Sequence, residues 1–260
     1  MFQLALRAAG LLLIATTLAA CSQFVGDNRH NVPLPKALVD RMAEIGSSPS
    51  EPMMIRVYKQ SSELEVWKRT GSGDYVLLKT YPICKWSGEL GPKVREGDYQ
   101  SPEGFYDVTP GMLNPKSSYY LAFNVGFPNK FDQALARTGS YLMVHGDCKS
   151  VGCFAMTDAG IKEIYALARE TFKGGNASFQ LQLLPFRMTE ANLTMNASSP
   201  HAAFWRDLKA GTDIFDATKR PPSWDVCERR YVFNRNDPRT APLDPFGPCP
   251  VGNFSTMAGL

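Results

Sequence analysis

The chain has 260 residues, 44% of them hydrophobic, which is enough apolar mass for one large core, or one core with an extension. Its 28 Lys and Arg against 25 Asp and Glu leave a formal charge of only +3, too weak a bias for a nucleic-acid-binding surface. The longest early apolar run, Leu11-Leu12-Leu13-Ile14-Ala15, is too short to span a bilayer.

The N-terminus reads as a targeting segment. Arg7 precedes the apolar run, and Leu18-Ala19-Ala20-Cys21 follows it, matching the bacterial lipobox. Residues 1–20 are then a lipoprotein signal peptide and Cys21 the lipidated first residue of the mature chain; an ordinary secretory signal is the plainer alternative. Ser22, in second place, resembles lipoproteins that leave the inner membrane. The expected location is the periplasm, anchored by lipid to the envelope at the outer membrane.

Residues 22–36 are polar and irregular, as in a tether. Leu38, Met42 and Ile45 recur at helical spacing and predict a short helix over 36–47, ended by Ser47-Ser48-Pro49. From Met53 the period becomes two. Stretches 54–59, 63–68 and 75–81 predict a β-meander, with Thr70-Gly71-Ser72-Gly73-Asp74 as a turn. Further strands are expected over 102–108, 119–125 and 141–145, the last ending on His145. Thr157 caps a helix whose stripe is Ile161, Ile164, Tyr165, Ala168 and Phe172, stopped by Gly174-Gly175. A strand over 179–184 follows, then a helix around Phe204 and Leu208 ended by Gly211, and a strand at Tyr231-Val232-Phe233. From Asp237 the chain is rich in Pro and Gly, with no clear element.

The chemistry concentrates in Val144-His145-Gly146-Asp147-Cys148-Lys149-Ser150-Val151-Gly152-Cys153-Phe154-Ala155-Met156. A cysteine becomes a nucleophile when a base takes its proton or its pKa falls, and His145 stands nearby in sequence. Gly152 lets the backbone turn and lets a carbonyl approach main-chain N–H groups. Two other readings stand beside this one. Cys153 is half of a disulfide, or His145, Cys148 and Cys153 are three zinc ligands lacking a fourth. With Cys21 given to lipid and Cys153 to chemistry, Cys84, Cys148, Cys227 and Cys249 remain, an even number that suits an oxidising compartment. Three pairings are open. Cys227–Cys249 closes the shortest loop and would leave Cys84 with Cys148; a free Cys148 beside Cys153 competes with it.

The pattern His145-Gly146 … Ser150-Val151-Gly152-Cys153-Phe154-Ala155-Met156 resembles the signature of the L,D-transpeptidase (YkuD-type) catalytic domain. Segments 81–88, 97–106, 124–129, 137–140 and 185–189 are similar to one subfamily, the YafK/DpaA-like proteins. The resemblance covers about residues 52–215. It implies a mainly β (α+β) fold, a YkuD-like sandwich or barrel with flanking helices, after a tether and short helix at 21–51 and before a C-terminal extension at 216–260. It implies Cys153 as nucleophile, His145 as base, Gly146 as its partner, Ser150 as a supporting hydroxyl, and the N–H groups of Gly152 and Cys153 as oxyanion donors. Family members attack the L-centre carbonyl of diaminopimelate in a peptidoglycan stem peptide, form a thioester, and pass it to an amine or to water. No cofactor or metal is implied.

Three departures stand out. Val151 and Ala155 occupy places where many members have His and Arg, and the His145-to-Cys153 interval is short. Without that Arg, a substrate carboxylate needs another cation, and Arg137, Lys85 and Arg187 are the candidates. The subfamily shares these departures, which favours hydrolysis of the amide between diaminopimelate and the lysine of a peptidoglycan-linked lipoprotein. Transpeptidation, either cross-linking stems or attaching lipoprotein, keeps the chemistry and changes the acceptor. A non-catalytic peptidoglycan-binding lipoprotein, with Cys153 locked in a disulfide, is the alternative from another class. His30, in the tether, and His201 read as surface residues.

Overall fold

A computed structural model describes residues 27–234 and 241–250; the lipobox, Cys21 and Ser22 lie outside them. The central element is a five-stranded sheet. Three strands make the expected meander, β1 (Met53–Tyr58), β2 (Glu63–Arg69) and β3 (Tyr75–Pro82), after the short helix α1 (Lys36–Glu44). β9 (Phe179–Leu184) joins β1 in parallel and β4 (Gly104–Val108) pairs antiparallel with β9, so the order is β3-β2-β1-β9-β4. A second sheet of four short strands, β5 (Leu113–Asn114), β6 (Ala122–Asn124), β7 (Met143–His145) and β8 (Phe154–Ala155), carries the His145–Cys153 stretch. The fold is α+β, as expected.

Two cores form on the two faces of the large sheet. One face packs Met53, Ile55 and Val57 against helix α3 (Asp158–Lys173) and the inner face of the small sheet, through Phe123, Val144, Phe154 and Met156. Thr157 caps α3 by accepting the Gly160 N–H at 3.0 Å, and Gly174 ends it. The other face is covered by helix α5 (Ala202–Thr218) and the hairpin β10 (Trp224–Cys227)–β11 (Arg230–Phe233), through Phe105, Trp205, Leu208 and Phe233. Two short helices, α2 (Lys130–Ala134) and α4 (Glu190–Met195), complete the body.

Three expectations are corrected. Gly211 does not end the last helix: α5 runs on to Thr218, and Gly211 sits inside it because a Cβ there would come 2.5 Å from the rings of Phe105 and Phe233. The stretch taken as a tether is docked from Arg29 onward; Arg29 donates to the Ser117 carbonyl, Arg169 donates to that of Val32, and Leu34 packs against the core. The strands at 119–125 and 141–145 shorten to Ala122–Asn124 and Met143–His145.

Candidate active site

β7 and β8 run parallel with Val144 opposite Phe154 and His145 opposite Ala155. Val144, Phe154 and Met156 face the core, so the alternate positions Met143, His145, Cys153 and Ala155 share the other face. Neighbouring strands lie about 4.8 Å apart and rise about 3.3 Å per residue, which places the His145 and Cys153 backbones one diagonal apart. Cys153 is free of any disulfide. Its Sγ accepts the Met143 N–H at 3.4 Å and points its proton at the Tyr141 carbonyl at 3.7 Å.

His145 is 2% exposed. Its Nδ1 lies 2.6 Å from the Gly146 carbonyl oxygen, a contact only an Nδ1–H donor satisfies. That fixes the tautomer and leaves the Nε2 lone pair as the base. The Tyr119 ring lies on the imidazole, centroids 4.7 Å apart, and holds its plane.

The connecting turn is built for close approach. A Cβ on Gly146 would come 2.5 Å from Asp158 Oδ1 and 2.9 Å from the Tyr119 carbonyl oxygen. Gly146 donates to the carbonyls of Tyr119 and Leu121, and Asp158, in the first turn of α3, accepts the Asp147 N–H at 2.9 Å. Asp147 and Cys148 both take positive φ, 65° and 48°, an uncommon conformation for two successive non-glycine residues. The Cys84–Cys148 disulfide holds them there. It also takes Cys148 out of the His145–Cys148–Cys153 ligand set. The second bridge is Cys227–Cys249.

Ser150 Oγ donates to the Cys153 carbonyl at 2.7 Å and receives the Gly152 N–H at 3.3 Å. Ser101 Oγ donates to the same carbonyl at 3.2 Å, and Ser87 Oγ lies 3.3 Å from Ser150 Oγ. Ser150 therefore shapes the turn that presents the thiol, and a substrate oxygen would compete with it for the Gly152 N–H.

Burial pushes the Cys153 thiol above its ordinary value, against the Met143 N–H and the Lys93 ammonium, which pull it down. Burial pulls His145 below its ordinary value, against the Gly146 carbonyl and Asp147. Both shifts favour the neutral forms, thiol and imidazole. Tyr141, whose carbonyl faces the thiol, and Val151, two residues before Cys153, are large side chains 79% and 70% exposed. A separate cleft of about 360 Å³ is lined by Leu90, Pro92, Arg95, His201 and neighbours; neither Cys153 nor His145 lines it. His201 is half-buried there, its ring against Gly91 and Trp205.

No family model matches the chain. The protein of Escherichia coli (strain K12) named "Putative L,D-transpeptidase YafK" is 41% identical over 227 residues, 86% of this chain and 89% of that one. The chain belongs to the L,D-transpeptidase family. The same protein of Escherichia coli O157:H7 matches equally. Among solved structures, the helical cell shape determining protein Pgp2 of Campylobacter jejuni aligns at TM-score 0.40 and 18% identity, over 68% of this chain and 64% of that one. Mycobacterium tuberculosis L,D-transpeptidase 1 aligns at TM-score 0.27 and 14% identity, over 52% and 62%.

By that kinship the chain is an enzyme of a peptidoglycan-acting family. Its three candidate substrate cations fare differently. Arg137 is turned inward: Nη1 lies 2.9 Å from the buried Asp132 carboxylate, and the guanidinium carbon lies 5.1 and 5.0 Å from the centroids of the stacked Phe131 and Phe204 rings. Arg187 is bound to Glu63 and Glu65 at 2.8 and 2.9 Å and lies over the Tyr58 ring. Lys85 is exposed, and no ion pair engages it among the described residues. Motif reasoning missed Tyr119, Met143, Ser87, Ser101 and Asp158, which position the pair through ring stacking and main-chain bonds. Such roles leave no residue pattern in a single sequence.

Proposed function

We propose that this chain hydrolyses the amide between diaminopimelate and the lysine of a peptidoglycan-linked outer-membrane lipoprotein, through a Cys153 thioester with His145 as base. The observation that carries the reading is the unpaired Cys153 thiol one diagonal from a histidine whose Nδ1–H is already committed to Gly146. His145 Nε2 takes the thiol proton as Sγ bonds to the carbonyl carbon. As the tetrahedral intermediate collapses, the carbon–nitrogen bond breaks and the imidazolium gives that proton to the leaving amine. Water then attacks the thioester, His145 takes its proton, the carbon–sulfur bond breaks, and the departing thiolate is reprotonated. The Cys153 N–H, with the Gly152 N–H drawn off Ser150, holds the developing oxyanion.

The reading includes a lipid anchor at Cys21 and a periplasmic location. Metabolic labelling with palmitate tests it: the native chain takes label and the Cys21→Ser variant does not. Purified protein incubated with lipoprotein-linked sacculi tests the reaction. The native chain releases lipoprotein and leaves hydrolysed stem ends, whereas Cys153→Ala releases none. New cross-links without hydrolysed ends would instead identify transpeptidation, and equal release by both proteins would sink the thiol mechanism.

A further inference from the structure

We infer that Lys85 is the cation that receives a substrate carboxylate at this site, where Ala155 carries no charge. The inference deepens the acyl-transfer reading and rests on it. On the side of β8 away from β7, the backbone of Cys84 and Lys85 doubles up against a single residue. Both N–H groups donate to the Ala155 carbonyl, at 2.9 and 3.2 Å, and the Ala155 N–H returns to the Lys85 carbonyl at 2.8 Å. That is a β-bulge, two residues facing one, and it turns both side chains to the face of the residue opposite. Ile83 and Trp86, on either side, pack into the core instead.

Cys84 and Lys85 therefore share the face of Ala155, Cys153 and His145. His145, Ala155 and Lys85 form one row across three strands, with Cys153 two residues back along the middle one. Lys85 flanks the thiol on one diagonal as His145 does on the other, each about one strand spacing from Ala155. The bulge also divides the work of its two residues. Cys84 is spent in the disulfide to Cys148, on the side away from the thiol. Lys85 lies on the side toward Ser87, whose hydroxyl meets Ser150 in the catalytic turn. It is exposed and, among the described residues, unpaired, while Arg137 and Arg187 are bound to acids. Ala155 itself is fully buried, so the carboxylate is met at the exposed edge beside it, where the four-carbon stem carries the Lys85 ammonium.

The ligand is a peptide carboxylate. In the proposed substrate it has two sources: the remaining carboxylate of diaminopimelate, or that of the leaving lysine. The test measures binding of a synthetic stem peptide, with lysine in amide linkage to the diaminopimelate L-centre, to the full chain carrying Cys153→Ala. Adding Lys85→Met weakens binding about tenfold, and Lys85→Arg restores most of it. Amidating one of the two carboxylates makes binding indifferent to Lys85→Met and names the source. Equal binding with and without Lys85, or Lys85 dependence that survives amidation of both carboxylates, overturns the proposal. Hydrolysis of the peptide by the native chain is scored separately. Lys85-dependent binding without hydrolysis overturns the reaction and keeps the carboxylate site, whereas no binding by any variant overturns both.

Discussion

Burial disfavours the charged forms of both His145 and Cys153, and this sets how activity follows pH. Burial disfavours the imidazolium, so His145 stays a competent base further into acid than an ordinary histidine, near 6.5. Burial also disfavours the thiolate, so Cys153 ionises later in base than an ordinary cysteine, near 8.5. The expected kcat/KM profile is a plateau whose acid limb lies below the ordinary histidine value and whose basic limb lies above the ordinary cysteine value. Inactivation by iodoacetamide, which needs the thiolate, should rise with a midpoint above the ordinary cysteine value in the free enzyme. A midpoint at or below 7 would mean a preformed ion pair. His145→Ala should lower turnover by about 10²–10⁴-fold, the usual worth of a positioned base, while Cys153→Ala removes it. The two residues were visible in the sequence because this chemistry demands a thiol and an imidazole. Their protonation was not, because desolvation is a property of the packed site, where Tyr119 and the Met143 backbone close around them.

Elements were read well where one face met one core and badly where both faces were covered. Helix α3 shows why: a Thr157 cap, an apolar stripe and a terminal glycine each act locally, and all three were found where the sequence placed them. β1 shows the opposite case. Its alternation puts Arg56 on a face that sequence assigns to solvent, yet α5 covers that face. Arg56 is buried by bonding Asp216 and Gln182 at 2.6 Å and lying 4.4 Å over the Phe215 ring. Gly211 was misread for the same reason. As local punctuation a glycine stops a helix, whereas here the close approach of Phe105 and Phe233 requires one in the middle. Gly211→Ala should regain about 1 kcal/mol of helix propensity and lose about 1–3 kcal/mol to overpacking, for a lower denaturant midpoint. Turnover per folded molecule should stay at the native value, since α5 lies on the sheet face away from Cys153. A stabilised variant would mean the two rings move aside freely.

The molecule joins a large sheet, buried on both faces, to a small sheet that carries the chemistry. The small sheet is held by its inner face, Phe123, Val144, Phe154 and Met156, and by the bulge that joins the end of β3 to β8. The Cys84–Cys148 bridge spans that junction, from the bulge to the strained turn between base and nucleophile. Cys227–Cys249 instead ties the β10 hairpin to the chain that follows, on the far core. The two bridges close sequence separations of 64 and 22 residues, for which chain entropy predicts about 4 and about 3 kcal/mol. Their stability effects should therefore be similar, and their effects on chemistry should not. Replacing Cys84 and Cys148 by Ser frees Asp147 and Cys148 from positive φ and loosens the turn that sets Ser150, Gly152 and the thiol. Turnover should fall at least about tenfold at temperatures where the variant is still folded, since misplacement by even 1 Å costs heavily in a preorganised site. Replacing Cys227 and Cys249 by Ser should lower the melting temperature by a comparable amount and leave kcat within about twofold, because its effect on stability acts mainly through the unfolded chain. Circular dichroism melts paired with hydrolysis assays below both transitions separate the two effects. Equal loss of kcat in the two variants would show that the catalytic turn draws its shape from global stability alone.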